Sequence, residues 1–141
     1  MKVAIYPGSF NPWHEGHTDV LNKALQIFDK VIIAVGMNPE KQVVGIAMGD
    51  FRLKLMETFG LDSFPLNVDT LAYSTLLVEA IPPEVCAVIK GLRNGQDLEY
   101  ERAQQYWNED LGLKIPTIYI ITDRSLVHIS SSAIRMVEKF K

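Results

Sequence analysis

Tyr6 to His17 reads YPGSFNPWHEGH, and its two histidines, three positions apart, are the side chains best suited to chemistry on a phosphate. The segment follows a short apolar run, Val3, Ala4 and Ile5, and opens onto a stretch of helical period, so both imidazoles fall near a helix N-terminus. The first N–H groups of a helix have no intrahelical partner and carry partial positive charge, while Gly8 and Gly16 let a ligand come close to the backbone. That combination is an anion site, with phosphate as the expected occupant. A metal pair is the weaker reading, because no third ligand stands near His14 and His17 and His128 is remote in sequence. The segment has no G-x-G-x-x-G pattern, which gives no support to a dinucleotide-dependent dehydrogenase.

Three later segments carry the same kind of chemistry. Asn38, Lys41 and Gln42 follow the second apolar run, where the lysine offers a mobile point charge to a phosphate. Residues 90–101, KGLRNGQDLEYE, place Lys90 and Arg93 around Gly91 as the fourth apolar run ends, a pairing without an equally good structural reason. Asp97 and Glu99 are explained by the dipole of the helix they open. Ile129-Ser-Ser-Ser132 precedes the last helix; one serine suffices for a cap, and three small residues let amides face a nucleotide. His128 reads as a packing or solvated residue, Tyr106 and Trp107 as core, and Cys86, inside the apolar run VCAVI, as a small core side chain.

The elements that must position these groups alternate in kind. Strands are expected at about 2–6, 30–37, 64–68, 85–89 and 115–121, and helices at about 16–28, 49–60, 73–81, 97–111 and 131–140. In the first helix Val20, Leu21, Ala24, Leu25 and Phe28 form an apolar stripe, with Asp19, Asn22 and Lys23 facing outward. Pro82-Pro83 closes the helix before the fourth strand. Buried strands separated by helices imply a parallel sheet with right-handed crossovers: an α/β, single Rossmann-like domain over residues 1–141, its five strands flanked by helices. Ligands of such sheets bind beyond the C-terminal strand ends, near the switch in strand order. All the segments singled out above follow strands.

Composition sets the outer limits. A chain of 141 residues with 48% hydrophobic and 22% charged residues suits one globular domain. A net charge of −3 argues against broad nucleic-acid binding, and no apolar run approaches the roughly 20 residues of a membrane helix. A single cysteine excludes an intrachain disulfide, and no signal peptide is visible, so a cytoplasmic location is expected.

Taken in order, YPGSFNPWHEGH, the lysine after strand two, KGLRNGQDLEYE and ISSS resemble the bacterial phosphopantetheine adenylyltransferases of the HxGH nucleotidyltransferase superfamily. The family's R-G-L-R-x-x-x-D-x-E-Y-E is matched by Lys90 to Glu101 at all but its first named position, and Ser74 to Glu79 looks like its G-L-L-V-D segment. The resemblance implies transfer of AMP from ATP to 4′-phosphopantetheine, giving dephospho-coenzyme A and pyrophosphate, with Mg²⁺ held mainly by the substrate phosphates. It implies that His17 meets the α-phosphate, with Gly8, Ser9, Phe10 and His14 beside it on the nucleotide. Ser9 and Lys41 would orient the attacking phosphate; Arg93, Glu101, Ser130, Ser131 and Ser132 would hold the nucleotide and its phosphates. Thr75, Leu76, Leu77, Lys90 and Asn108 would line the acceptor side, and a homo-oligomer is implied. The residues also admit a related nucleotidyltransferase with another phosphorylated acceptor or CTP. A catalytically silent nucleotide-binding regulator is disfavoured by the joint presence of His17, Lys41 and Arg93.

Overall fold

The computed structural model describes residues 1–10, 12–37, 51–57, 65–123 and 131–139, with nothing said of the Ser132 side chain. Five strands, β1 (Val3–Gly8), β2 (Lys30–Gly36), β3 (Val68–Tyr73), β4 (Val85–Leu92) and β5 (Thr117–Ile121), form one sheet in the order β3-β2-β1-β4-β5. Every pairing is parallel. Helices α1 (Glu15–Leu25), α2 (51–57), α3 (Leu77–Ala80), α4 (Gly95–Asp110) and α5 (Ser131–Glu138) occupy the intervals. The expected α/β architecture is therefore observed.

The central strands explain the sheet. β1 and β2 are buried along nearly their whole length, and their alternate residues enter two separate cores. Ala4, Tyr6, Val31, Ile33, Ala87 and Ile89 pack with Val20, Leu21 and Ala24 of α1 and Leu55 of α2. Val3, Ile5, Ile32, Ala34 and Val88 pack on the other face with Leu113, Leu77, Val78 and Ile81. The order reverses between β1 and β4, so the C-terminal ends of these two strands diverge and open a crevice.

Several expected boundaries move, for physical reasons. The third strand is Val68–Tyr73 rather than 64–68: Pro65 has no N–H for a ladder, its carbonyl instead accepts the Val68 N–H at 3.2 Å, and Leu66 is fully exposed. Tyr73 thus belongs to a strand, and the helix expected at 73–81 shrinks to the four residues of α3, whose first residue follows an N-cap, Leu76, without a side-chain cap. β4 runs on to Leu92, so Lys90 and Gly91 lie within a strand, paired in register with Tyr119 and Ile120, and only Arg93 follows its end. β5 starts after Pro116, whose carbonyl accepts the Val88 N–H at 2.9 Å.

Three readings of side chains are corrected. Cys86 is exposed, because the β1–β4 register shifts between Val3↔Val85 and Ala4↔Ala87 and skips it. Tyr106 and Trp107 are exposed at 58% and 68%, since α4 buries no residue and turns the polar stripe Asp97, Glu101, Gln104, Gln105 and Asn108 inward. Asp19 and Lys23 do not simply face water; both are engaged with the end of β5. Asn38, Lys41, Gln42, His128 and Ser130 lie outside the described residues.

Candidate active site

The crevice at the switch point is a cleft of about 430 Å³, lined from β1 and its loop by Tyr6, Pro7, Gly8, Ser9 and Phe10 and from α1 by His14, Gly16, His17 and Val20. Lys90, Gly91, Arg93, Asp97, Tyr100 and Glu101 supply the opposite wall, and Thr122, Ser131 and Arg135 close the third side. Nine of the residues singled out from the sequence are thereby brought together: Gly8, Ser9, Phe10, His14, His17, Lys90, Arg93, Glu101 and Ser131.

The two histidines begin α1 in a reciprocal arrangement. His14 is the N-cap, in extended backbone conformation, and its Nδ1 accepts the Gly16 N–H at 3.1 Å. The His14 N–H donates in turn to Nδ1 of His17, also at 3.1 Å. This is a capping box in which imidazoles stand where serine and glutamate usually do. A backbone N–H can only donate, so each Nδ1 must be unprotonated and each neutral ring must carry its hydrogen on Nε2. The box fixes both tautomers and leaves an Nε2–H donor on each ring. Gly16 is required here, because a Cβ would lie 2.9 Å from Cε1 of His14.

Electrostatics hold the pair neutral. Burial first, then His14, then Arg93, push the His17 imidazole down to about 3 from its ordinary 6.5, and burial followed by Arg93 lowers His14. His17 also sits edge-on to Phe10, with ring centroids 4.9 Å apart, and tilted against Trp13 at 5.2 Å. Phe10 adopts φ +47°, a strained conformation for a bulky residue, and its ring is held between Tyr6, Trp13 and His17. Gly8 makes room for it: a Cβ there would come within 2.9 Å of the Phe10 ring. Trp13 is anchored in its own right by an indole N–H bond to Thr18 Oγ1 at 2.8 Å.

The cationic wall is organised by carboxylates. Asp97 Oδ2 accepts the Arg93 N–H at 2.8 Å and Nε at 3.0 Å, while Oδ1 accepts Nη2 at 3.2 Å, so the guanidinium is fixed in a fork with other N–H groups left over. Burial alone would raise Asp97, but the bonds from Arg93 and Asn94 outweigh it and hold the carboxyl below its usual range. The helix dipole is thus an incomplete account of Asp97; it is the residue that aims Arg93. Lys90 Nζ lies 3.6 Å from Glu101 Oε2, both side chains largely buried. Gly91 sits against α1, where a Cβ would meet Val20 Cγ2 at 2.8 Å.

On the third side, the hydroxyl of Ser131 donates to the Pro12 carbonyl at 2.9 Å, tying α5 to the loop before α1. Thr122 is buried and bonded through N–H and Oγ1 to the Leu92 carbonyl, at 3.0 and 3.3 Å. Thr122, Tyr100 and Arg135 were not picked out from the sequence. Arg135 carried a usable signal, since it lies four residues after Ser131 and therefore on the same helix face. Thr75 and Leu76 are exposed beyond the end of β3, Leu77 packs into the second core, and Asn108 lies two turns along α4 from Glu101; none of the four lines the cleft. Among the described residues no cluster of three or more His, Cys, Asp or Glu side chains could hold a metal.

Comparison with known proteins follows the same lines. A model of the family described as cytidylyltransferase-like matches residues 5–137. The chain is 38% identical over 141 residues to the phosphopantetheine adenylyltransferase of Clostridium novyi, covering 99% of this chain and 85% of that protein. The enzyme of the same name from Chloroflexus aggregans is 38% identical over 136 residues, covering 96% and 82%. Among solved structures, a Vibrio parahaemolyticus protein provisionally assigned as a nicotinate-nucleotide adenylyltransferase superposes with a TM-score of 0.64 at 22% identity, covering 97% of this chain and 80% of that one. A bifunctional NMN adenylyltransferase/ADP ribose pyrophosphatase from Francisella tularensis gives 0.63 at 14% identity, covering 96% and 41%. These structural likenesses carry the fold.

Proposed function

The chain belongs to the phosphopantetheine adenylyltransferases, within the cytidylyltransferase-like family, and we propose that its single domain, residues 1–141, transfers AMP from ATP to 4′-phosphopantetheine. The products are dephospho-coenzyme A and pyrophosphate, a step of coenzyme A biosynthesis in the cytoplasm. The observation that carries this reading is the pair of neutral imidazoles fixed with Nε2–H free at the N-terminus of α1, in a cleft whose facing wall holds Lys90 and Arg93.

In this reaction a phosphate oxygen of the acceptor forms a bond to the α-phosphorus of ATP as the bond from that phosphorus to the bridging β-phosphate oxygen breaks. The electron pair leaves with pyrophosphate, and no bond to the protein forms. Catalysis is then a matter of holding the two phosphates in line and meeting the charge that moves between them. His17 donates Nε2–H to the α-phosphate, with His14 as a second neutral donor and the α1 amides behind them. With each Nδ1 occupied by a backbone N–H, these rings can only donate at Nε2 and take no proton from the attacking phosphate. Arg93, oriented by Asp97, and Arg135 across the cleft face the β- and γ-phosphates, with Ser131 and the start of α5 beside them. Ser9, exposed at the end of β1, and Lys41 guide the acceptor phosphate, and Lys90 binds it within reach of Glu101.

Mg²⁺ fits this donor set as an ion carried on the nucleotide phosphates, since Asp97 and Glu101 in the cleft each already face a cation. It would neutralise phosphate charge there. Beyond Glu101 the inward stripe of α4, Gln104, Gln105 and Asn108, runs on from the cleft and suits the amide-bearing arm of phosphopantetheine.

The test is pyrophosphate release from ATP or CTP with a panel of phosphorylated acceptors. Release is expected with ATP and 4′-phosphopantetheine. Faster release with another acceptor or with CTP would replace the substrate assignment, and release with none would replace the enzyme by a binding protein.

A further inference from the structure

Lys23 is a cation that the reaction does not use, and its surroundings account for all three of its donors. From the last turn of α1, its Nζ donates to Asp19 Oδ2 at 2.9 Å, to Asp123 Oδ1 at 2.8 Å and to the Ile121 carbonyl at 2.8 Å. An ammonium has three N–H bonds, so this one is saturated by the protein even though the side chains of Lys23 and Asp123 remain 30% and 60% exposed. The circuit closes through the backbone, because the Asp123 N–H donates to the same Asp19 Oδ2 at 2.9 Å. Asp123 and then Asp19 accordingly hold the Lys23 ammonium above its ordinary range. Three of these hydrogen bonds thus join one helix to residues about a hundred positions away, and the fourth, between Lys23 and Asp19, lies within the helix.

What the circuit encloses gives it a purpose. Thr122, between its two β5-side members, is a wall residue of the cleft and is bonded to the carbonyl of Leu92, the residue before Arg93. Asp19 lies only two residues beyond His17 on the same rigid helix. A second tether, Ser131 Oγ to the Pro12 carbonyl, fixes the start of α5 to the other end of the α1 unit. The side of the cleft that bears Thr122, Ser131 and Arg135 is therefore pinned to the histidine-bearing helix at two points, and a helix pinned twice can neither slide nor roll against it.

We propose that Lys23, Asp19 and Asp123 form a positioning clasp that registers the imidazoles of α1 with the β5–α5 side of the cleft, and so sets nucleotide affinity without touching the nucleotide. The clasp rests on the adenylyl-transfer reading, which assigns both of those walls to ATP. Lys90, on the acceptor side, shares no hydrogen bond with it.

The test combines calorimetric titration of ATP in the absence of any acceptor, thermal unfolding, and separate KM values for ATP and acceptor. For Lys23→Met, ATP should bind about tenfold more weakly, roughly the worth of one misaligned charge-assisted hydrogen bond. The acceptor KM should stay within about twofold, because its contacts lie on the other wall. Asp123→Asn, a milder change that keeps the side chain's shape, should move ATP affinity in the same direction. Lys23→Arg, which keeps the charge and reaches both carboxylates, should restore it to within about threefold of the parent. Unchanged ATP affinity in both Lys23→Met and Asp123→Asn would overturn the clasp. So would a loss shared equally by both substrates in step with the melting temperature, which would make these residues merely structural. If the parent protein itself bound no ATP, the adenylyl-transfer reading would fall first and take the clasp with it.

Discussion

The backbone N–H of His14 donates to Nδ1 of His17 at 3.1 Å, and the two rings stack with centroids 3.7 Å apart. Each imidazole consequently does two jobs on opposite sides of its ring. Nδ1 completes the helix cap, and Nε2–H is left to face a ligand. The separation allows each job to be removed on its own.

Asparagine places Oδ1 where histidine has Nδ1, so His17→Asn should keep the bond from the His14 N–H while deleting the Nε2–H donor. We expect kcat to fall by about 10²–10³, as on loss of an oxyanion donor, with a much smaller change in ATP KM. His17→Ala should lose the same rate and also about 1 kcal/mol of stability, because the His14 N–H is orphaned. Pyrophosphate release and denaturant unfolding of both variants check this. Intact kcat with a raised ATP KM would assign His17 to ground-state binding.

The neutral pair has a pH signature. The His17 imidazole is lowered to about 3 in the folded chain against 6.5 ordinarily, so between these values the unfolded chain binds a proton that the folded one refuses. The stability that neutral His17 contributes is complete above about pH 6.5 and is lost progressively as pH falls towards 3. Urea midpoints measured at pH 7 and pH 4.5 should drop more for the parent than for His17→Asn. In NMR titrations of the ligand-free protein, the His17 ring should still be neutral at about pH 5; a midpoint near the ordinary histidine value would refute the arrangement.

Lys90 stands where the family has arginine, 3.6 Å from Glu101. In the proposed role it would meet the acceptor phosphate as a point charge with little angular control. Lys90→Ala should raise the acceptor KM about tenfold to a hundredfold, the worth of one charge-assisted hydrogen bond, and leave the ATP KM nearly unmoved. Lys90→Arg should be tolerated. If the alanine variant weakened ATP instead, the division of the cleft between substrates would be reversed.

Gly91 tests the contact between β4 and α1. A Cβ there would approach Val20 Cγ2 to 2.8 Å, and Val20 is almost fully buried. Gly91→Ala should cost about 1–3 kcal/mol as an overpacked core and displace α1 with its histidines. Adding Val20→Ala should recover activity, because removing the γ-methyls clears the clash, even though the smaller side chain packs less well. Circular dichroism melts and kcat for the single and double variants give the comparison; activity that stays low in the double variant would place the fault elsewhere.

Much of this molecule was settled by local sequence. The apolar runs at Val3–Ile5, Val31–Val35 and Val85–Ile89 read as strands of a buried sheet, the stripe Val20, Leu21, Ala24 and Phe28 as an amphipathic helix, and HEGH at that junction as its start. Period and capping are properties of neighbours along the chain, so they can be read from it. The edge strand β3 and short α3 were misplaced because neither has a burial pattern strong enough to mark its ends; proline and pairing with β2 decided them. Trp107 and Cys86 looked like core by composition, yet helix phase exposes one and a register shift the other. The free nitrogens of the histidines and the aim of Arg93 rest on local bonds, between residues two to four apart. Tertiary structure alone decided that burial holds His17 neutral and that Lys23 is saturated rather than available. Those facts depend on contacts between residues up to a hundred positions apart and on desolvation, which only the packed chain creates.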